Sequence, residues 1–273
     1  MPLVDPITMT SSLAKGAVAH AQATASKAST TTKDNTPATM HPIQTKQTPL
    51  AQSARHAFPA LLAGLFAVCF RALVTDPVST MSTTLLPLTA ALQVGYAMLC
   101  LPAAGSHGGG GGAGGGAKGT RKPRPGEKKR EGGGGGAGPS GVISAVLALV
   151  LSLLLTPLLY AVLVLFGAPF LTHGAHTLLC AAHLAVLALF PLFYVHGVDG
   201  AAWRAVGGFS APLDEAFGGM VGAVVGAWLG AVPIPLDWDR DWQRWPVTVL
   251  AGMFGGYVAG RVLGGTVGWG KRF

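Results

Sequence analysis

Apolar residues along this chain are gathered into blocks close to a bilayer's width, separated by short polar, proline- or glycine-bearing stretches. Six blocks stand out: His56 to Val74, Thr84 to Leu101, Val142 to Phe166, Gly174 to Tyr194, Ala216 to Val232 and Pro246 to Val267. A helix rises about 1.5 Å per residue, so roughly 20 apolar residues cross a hydrocarbon layer of about 30 Å, and each block predicts one spanning helix. The expected fold is all-α, a polytopic membrane bundle of about six transmembrane helices. The polar intervals divide it into a tail (residues 1–54), two helices (55–101), a linker (102–140) and a core carrying helices three to six (141–270).

Glycine recurs at every fourth position in the last two blocks: Gly218, Gly222, Gly226 and Gly230, then Gly252, Gly256, Gly260, Gly264 and Gly268. Positions four apart share one helix face, so each series is a stripe without side chains along which another helix can approach closely. In water each such glycine would cost about 0.8–1 kcal/mol relative to alanine. Glycine-zipper packing of the last two helices inside a membrane is the expectation.

Composition agrees with a membrane protein. Half the residues are hydrophobic and 11% are charged, against about 25% charged in a soluble domain. The net charge of +8 comes mostly from segments outside the blocks. Lys15, Lys27, Lys33, Lys46 and Arg55 lie in or beside the tail, Lys118, Arg121, Lys122, Arg124, Lys128, Lys129 and Arg130 in the linker, and Arg204, Lys271 and Arg272 further on. Only Arg71, Arg240 and Arg244 lie towards the other face. Positive residues near membrane ends stay in the cytosol, which predicts cytosolic termini and linker and a lumenal loop between the last two spans. The Ser-, Thr- and Lys-rich tail is expected to be disordered, with the first span as an uncleaved targeting signal. The glycine-rich linker around its basic run reads as a flexible, topology-setting loop, in preference to a nucleic-acid or anionic-lipid patch.

Chemistry-bearing residues are few. Cys69, Cys100 and Cys180 lie in separate spans without metal-ligand spacing and read as small buried hydrophobes. His173, His176, His183 and His196 surround the fourth span, yet the nearest acid, Asp199, lies past its far end; packing and interfacial roles are expected, with no metal and no cofactor. Arg71 and Arg261 fall near span ends, where snorkelling accounts for them. No nucleophile elbow, P-loop or HExxH occurs. Pro157 and Pro191 could break helices along a transport path, but no inverted repeat or charged midplane site accompanies them.

The densest polar chemistry is the segment Pro233-Ile-Pro-Leu-Asp-Trp-Asp-Arg-Asp-Trp-Gln-Arg-Trp-Pro246. Trp238, Trp242 and Trp245, spaced four and three apart, would emerge together from a short helix, and indoles favour the bilayer interface. Asp237 and Asp241 would share a face, with Arg240 and Arg244 at hand for ion pairs. An interfacial anchor and a docking site for a partner or lipid headgroup are the two readings.

This segment, with Gly226-Ala-Trp-Leu-Gly-Ala before it and Gly255-Gly-Tyr-Val-Ala-Gly after it, resembles the signature of the PIG-F family of glycosylphosphatidylinositol (GPI) anchor biosynthesis proteins. Val164-Leu-Phe-Gly-Ala-Pro-Phe-Leu-Thr-His173 is similar to that family's second signature, and the resemblance spans Leu159 to Val267. It implies a multi-span endoplasmic reticulum protein, itself non-catalytic, that binds and stabilises the transferases adding phosphoethanolamine to GPI mannoses. Implied partners are PIG-O-like and PIG-G-like subunits, whose metal-dependent catalytic domains are lumenal, with membrane lipid and the GPI precursor as further candidates. The binding residues it implies are Asp237, Trp238, Arg240, Trp242, Gln243, Trp245 and Pro246, with Gly167, Pro169 and His173. The rival reading makes this chain the transferase, with Asp76, Asp237, Asp239, Asp241 and His173 as its thin catalytic set.

Overall fold

The computed structural model describes residues 40–105, 141–236 and 238–272, and among them the architecture is all-helical. Helix α1 (Pro49–Thr75) begins where Thr48 accepts the Ala51 N–H at 3.2 Å and Pro49 takes the first helical position. Asp76 ends α1 and caps α2 (Pro77–Cys100) by accepting the Ser79 N–H at 3.2 Å. Both helices therefore start about two turns before their apolar blocks, because a cap followed by proline sets a helix start independently of hydropathy.

Helix α3 (Gly141–Leu165) is interrupted at Leu155, ahead of Pro157. Helix α4 (Gly174–His196) widens into a π turn over Ala185–Leu189 just before Pro191, and α2 does the same over Thr80–Leu85 before Pro87. Proline lacks the N–H that would close the ladder and crowds the carbonyl four residues back; the wider turn relieves both. A short helix α5 (Gly200–Gly207) follows, then α6 (Glu215–Ala231) and α7 (Val247–Gly265). Asp214 opens α6 by accepting the Ala216 and Phe217 N–H groups, each at 2.9 Å.

Five helices, α1 to α4 and α7, are long and apolar enough to cross a membrane; α6 is apolar but has 17 residues. Helix α4 is the central one, with 83% of its apolar window buried against 22% for α1. Its core face carries Leu187, Phe190, Leu192 and Tyr194, all fully buried.

Helices α6 and α7 run antiparallel with their backbones in contact. A Cβ added at Gly218 would lie 2.5 Å from the Gly260 carbonyl oxygen, and one at Gly226 would lie 2.9 Å from the Gly256 Cα. Gly222 meets Gly256 and Gly260 in the same way, Gly252 meets Gly226 and Gly230, and Gly230 meets Thr248 and Val249. Gly264 meets Gly218 and the Asp214 carbonyl, while Gly268 lies beyond α7 against Leu213. Gly255, one residue off the stripe, faces open space.

The tail and linker fall mostly outside the described residues. The part of the tail that is described, 40–48, runs as an extended strap against the bundle. Ile43 and Thr45 are buried, the Ile43 N–H donates to Asp214 Oδ2 at 3.0 Å, and the Lys46 N–H donates to the Cys100 carbonyl at 2.8 Å. Residues 49–54 already belong to α1.

Candidate functional site

Two polar segments that lie 60 or more residues apart in sequence meet at one end of the bundle. The turn between α3 and α4 holds Gly167 at φ 97°, a left-handed conformation that suits a residue without Cβ, and brings the Pro169 carbonyl over the start of α4. Thr177 Oγ1 donates to that carbonyl at 2.7 Å, and Trp245 Nε1 donates to Thr177 Oγ1 at 3.2 Å. Thr177 thus ties the α6–α7 loop to the α3–α4 turn. Nothing in local sequence marks it; a buried threonine one turn into a helix is visible as a bridge only once the chain is folded.

Gln243 organises the loop. Its Nε2 donates to the carbonyls of Pro233 at 2.7 Å and Leu236 at 2.6 Å, and its Oε1 accepts the Arg240 N–H at 3.1 Å. Three of its hydrogen-bonding positions are therefore spent on backbone that has no helix to satisfy it. Among the described residues of the loop, one 3₁₀ turn, Asp241–Gln243, takes the place of the short α-helix expected from the tryptophan spacing. Asp239 at φ 48° breaks the run. Even so, Trp238 and Trp242 come together, with ring centroids 5.8 Å apart, and both remain exposed. Asp241 pairs with Arg244 at 2.7 Å in solvent. Pro246 is the N-cap of α7 and is buried, joined to Trp245 by a cis peptide. Asp237 lies outside the described residues.

Beside this loop the α3–α4 turn exposes Leu165, Phe166, Phe170 and Leu171. His173 is the N-cap of α4, bonded through Nδ1 to Thr172 Oγ1 at 2.9 Å, and its ring stands edge-on to that of His176, 5.0 Å between centroids. His183 is separate from that pair: it is fully buried against Phe254 and bonded to the Leu179 carbonyl at 2.8 Å. Among the described residues no group of three His, Cys, Asp or Glu could hold a metal ion.

A second polar cluster, at the opposite end, was not expected. Arg261 does not snorkel: it is 2% exposed and its Nη2 donates to Glu215 Oε2 at 2.8 Å. Arg55 donates to Glu215 Oε1 and Tyr96 Oη to Oε2 at 2.9 Å. The guanidinium of Arg261 stacks 3.8 Å from the Tyr96 ring centroid and 4.6 Å from that of Phe58. One carboxylate thus joins α1, α2, α6 and α7. Snorkelling fails because Glu215 offers a charged partner inside the bundle, which removes the penalty that would drive the side chain outward.

The loop end offers aromatic faces, exposed apolar side chains and an ion pair, and this is the chemistry of a contact surface. Comparison with known proteins agrees with a role in GPI biosynthesis. The chain is 61% identical to glycosylphosphatidylinositol anchor biosynthesis protein 11 of Neurospora crassa over the full length of both. It is 48% identical to the protein of that name in Pyricularia oryzae, over 98% of this chain and 96% of that one. A protein of Homo sapiens named GPI ethanolamine phosphate transferase, stabilizing subunit, is 37% identical over 38% of this chain and 49% of its own. No solved structure matches. The GPI biosynthesis protein family Pig-F matches residues 57–265, which include both loop segments and every paired glycine of α6 and α7, and the chain belongs to that family.

Proposed function

We propose that this chain is a non-catalytic membrane subunit that binds and stabilises a GPI ethanolamine phosphate transferase in the endoplasmic reticulum membrane. The observation that carries the reading is the relationship to the human stabilizing subunit. The multi-span bundle is consistent with it. The finer assignment is ours: Trp238, Trp242 and Arg240, on the scaffold set by Gln243, Trp245 and Pro246, form a seat for the transferase. The neighbouring turn with Gly167, Pro169 and His173 extends that seat. We take PIG-O-like and PIG-G-like catalytic subunits as the partners, with the GPI precursor close by. The loop end then faces the lumen and both termini the cytosol, in line with the distribution of Lys and Arg.

Affinity purification of the tagged full-length chain from membranes in mild detergent, followed by mass spectrometry, tests the subunit reading. A large transferase subunit is expected to stay bound. Recovery of this chain alone, with phosphoethanolamine transfer activity in the same fraction, would overturn it. Trp242→Ala is expected to lower recovery of the transferase while leaving the chain's own abundance unchanged, because that ring is exposed and fills no core space; full recovery would remove the loop from the assignment.

A further inference from the structure

At the end of the bundle that carries both described termini, the strap and the turn after α7 border an open-sided cavity of about 210 Å³ lined by Gln44, Thr45, Gln47, Arg55, Gly265 and Trp269. It is smaller than the roughly 300–1,000 Å³ of sites for drug-sized ligands. Arg55 stands at its wall. That guanidinium has five donors in a planar fork; one goes to Glu215, another reaches the Gly265 carbonyl only at 3.5 Å, and its side chain keeps 30% exposure. Gln44 and Thr45 add an amide and a hydroxyl, and Trp269 an indole.

No acidic residue lines this cavity among the described residues. The two acids nearby are already occupied: Glu215 by two arginines and Tyr96, and Asp214 by the N–H groups of Ile43, Ala216 and Phe217. With Asp199, which caps α5, this end carries three carboxylates against Arg55, Arg204, Arg261, Lys46, Lys271 and Arg272. Lys46 Nζ caps the Met98 carbonyl at 2.8 Å, and Arg272 bonds the Met40 carbonyl. Neither cation is neutralised by a carboxylate. The excess of positive charge lies where α7 ends, at Gly265, and where an interfacial tryptophan follows. Anionic headgroups are drawn to cations at this depth, and a guanidinium fork matches phosphate oxygens in pairs.

We propose that this cavity binds the phosphate of an anionic membrane phospholipid, held by Arg55 with Gln44 and Thr45 and covered by Trp269. The bound headgroup adds one more tie between the strap, already held to the bundle by Ile43 and Lys46, and Arg55 of α1. The site is independent of the loop end and of any transferase.

Native mass spectrometry of the full-length chain, released from mixed micelles of phosphatidylcholine and phosphatidic acid, tests this. Wild type is expected to retain phosphatidic acid in preference to phosphatidylcholine. Gln44→Glu, a near-isosteric change at an exposed residue outside every helix, is expected to lower that retention roughly tenfold, the factor carried by one charged hydrogen bond. Its unfolding midpoint without lipid should match that of wild type. Arg55→Gln should lose retention too; if it fails to fold, Gln44→Glu alone decides. Equal retention of the two lipids by wild type, or undiminished phosphatidic acid in Gln44→Glu, would overturn the proposal. Displacement of phosphatidic acid by inorganic phosphate would assign the site to the free anion and overturn the lipid as its source.

Discussion

At the scale of single residues, stability at the terminal end turns on Glu215. It is 6% exposed and, among the described residues, the only carboxylate paired with Arg55 and Arg261, so Glu215→Gln leaves two arginines facing each other without that counter-charge. Removing one partner of a buried ion pair costs on the order of 3–5 kcal/mol. The unfolding midpoint of the detergent-solubilised variant is expected to fall accordingly; an unchanged midpoint would mean that the pairs are not made. Glu215 was hidden in the sequence because it sits one position before an apolar block, where a charge looks like the boundary of a span. Arg261 is hidden for the complementary reason: near a span end, position alone favours snorkelling, and only the fold shows that an acid 46 residues away lies beside it. Thr177 is the third residue of this kind. Its role depends on Pro169 and Trp245 arriving from two different loops.

At the scale of elements, hydropathy located the helices because a bilayer imposes one length on all of them. Their starts were displaced where Thr48-Pro49 and Asp76-Pro77 cap earlier than the apolar residues begin. Periodicity overstated one element: the tryptophans of the α6–α7 loop are brought together by a single 3₁₀ turn and the bonds of Gln243, not by an α-helix. The α6–α7 pair permits a sharp comparison between neighbours. At Gly256 a Cβ would lie 2.8 Å from the Gly226 Cα, whereas at Gly255 it would meet nothing within 4 Å. Gly256→Ala is therefore expected to separate the helices and lower the yield of folded protein, while Gly255→Ala leaves it unchanged or raises it through alanine's better helix propensity. Fluorescence-detected size-exclusion chromatography of the two variants side by side checks this, and equal profiles would refute the close approach.

At the scale of the whole molecule, the charged side chains of the described bundle are sorted to its two ends, with the Glu215 cluster at one and the ion pair of the tryptophan loop at the other. The charge bias predicts which end faces which compartment. Single cysteines placed at Gln44 and at Trp238 in a chain lacking Cys69, Cys100 and Cys180 are expected to label from opposite sides of sealed microsomes, Gln44 from outside. Labelling of both from one side would reject the topology. The glycine stripes have one more consequence. A pattern that repeats every four residues is nearly symmetric under translation: sliding α6 along α7 by four residues, about 6 Å, would move Gly222 from Gly260 to Gly264, Gly226 from Gly256 to Gly260 and Gly230 from Gly252 to Gly256, again glycine on glycine. The stripes secure closeness but leave the register degenerate. What breaks the degeneracy must be aperiodic, and the molecule has one such pin at each end of the pair: the Glu215–Arg261 ion pair and the Gln243 clamp that fixes the length of the connecting loop.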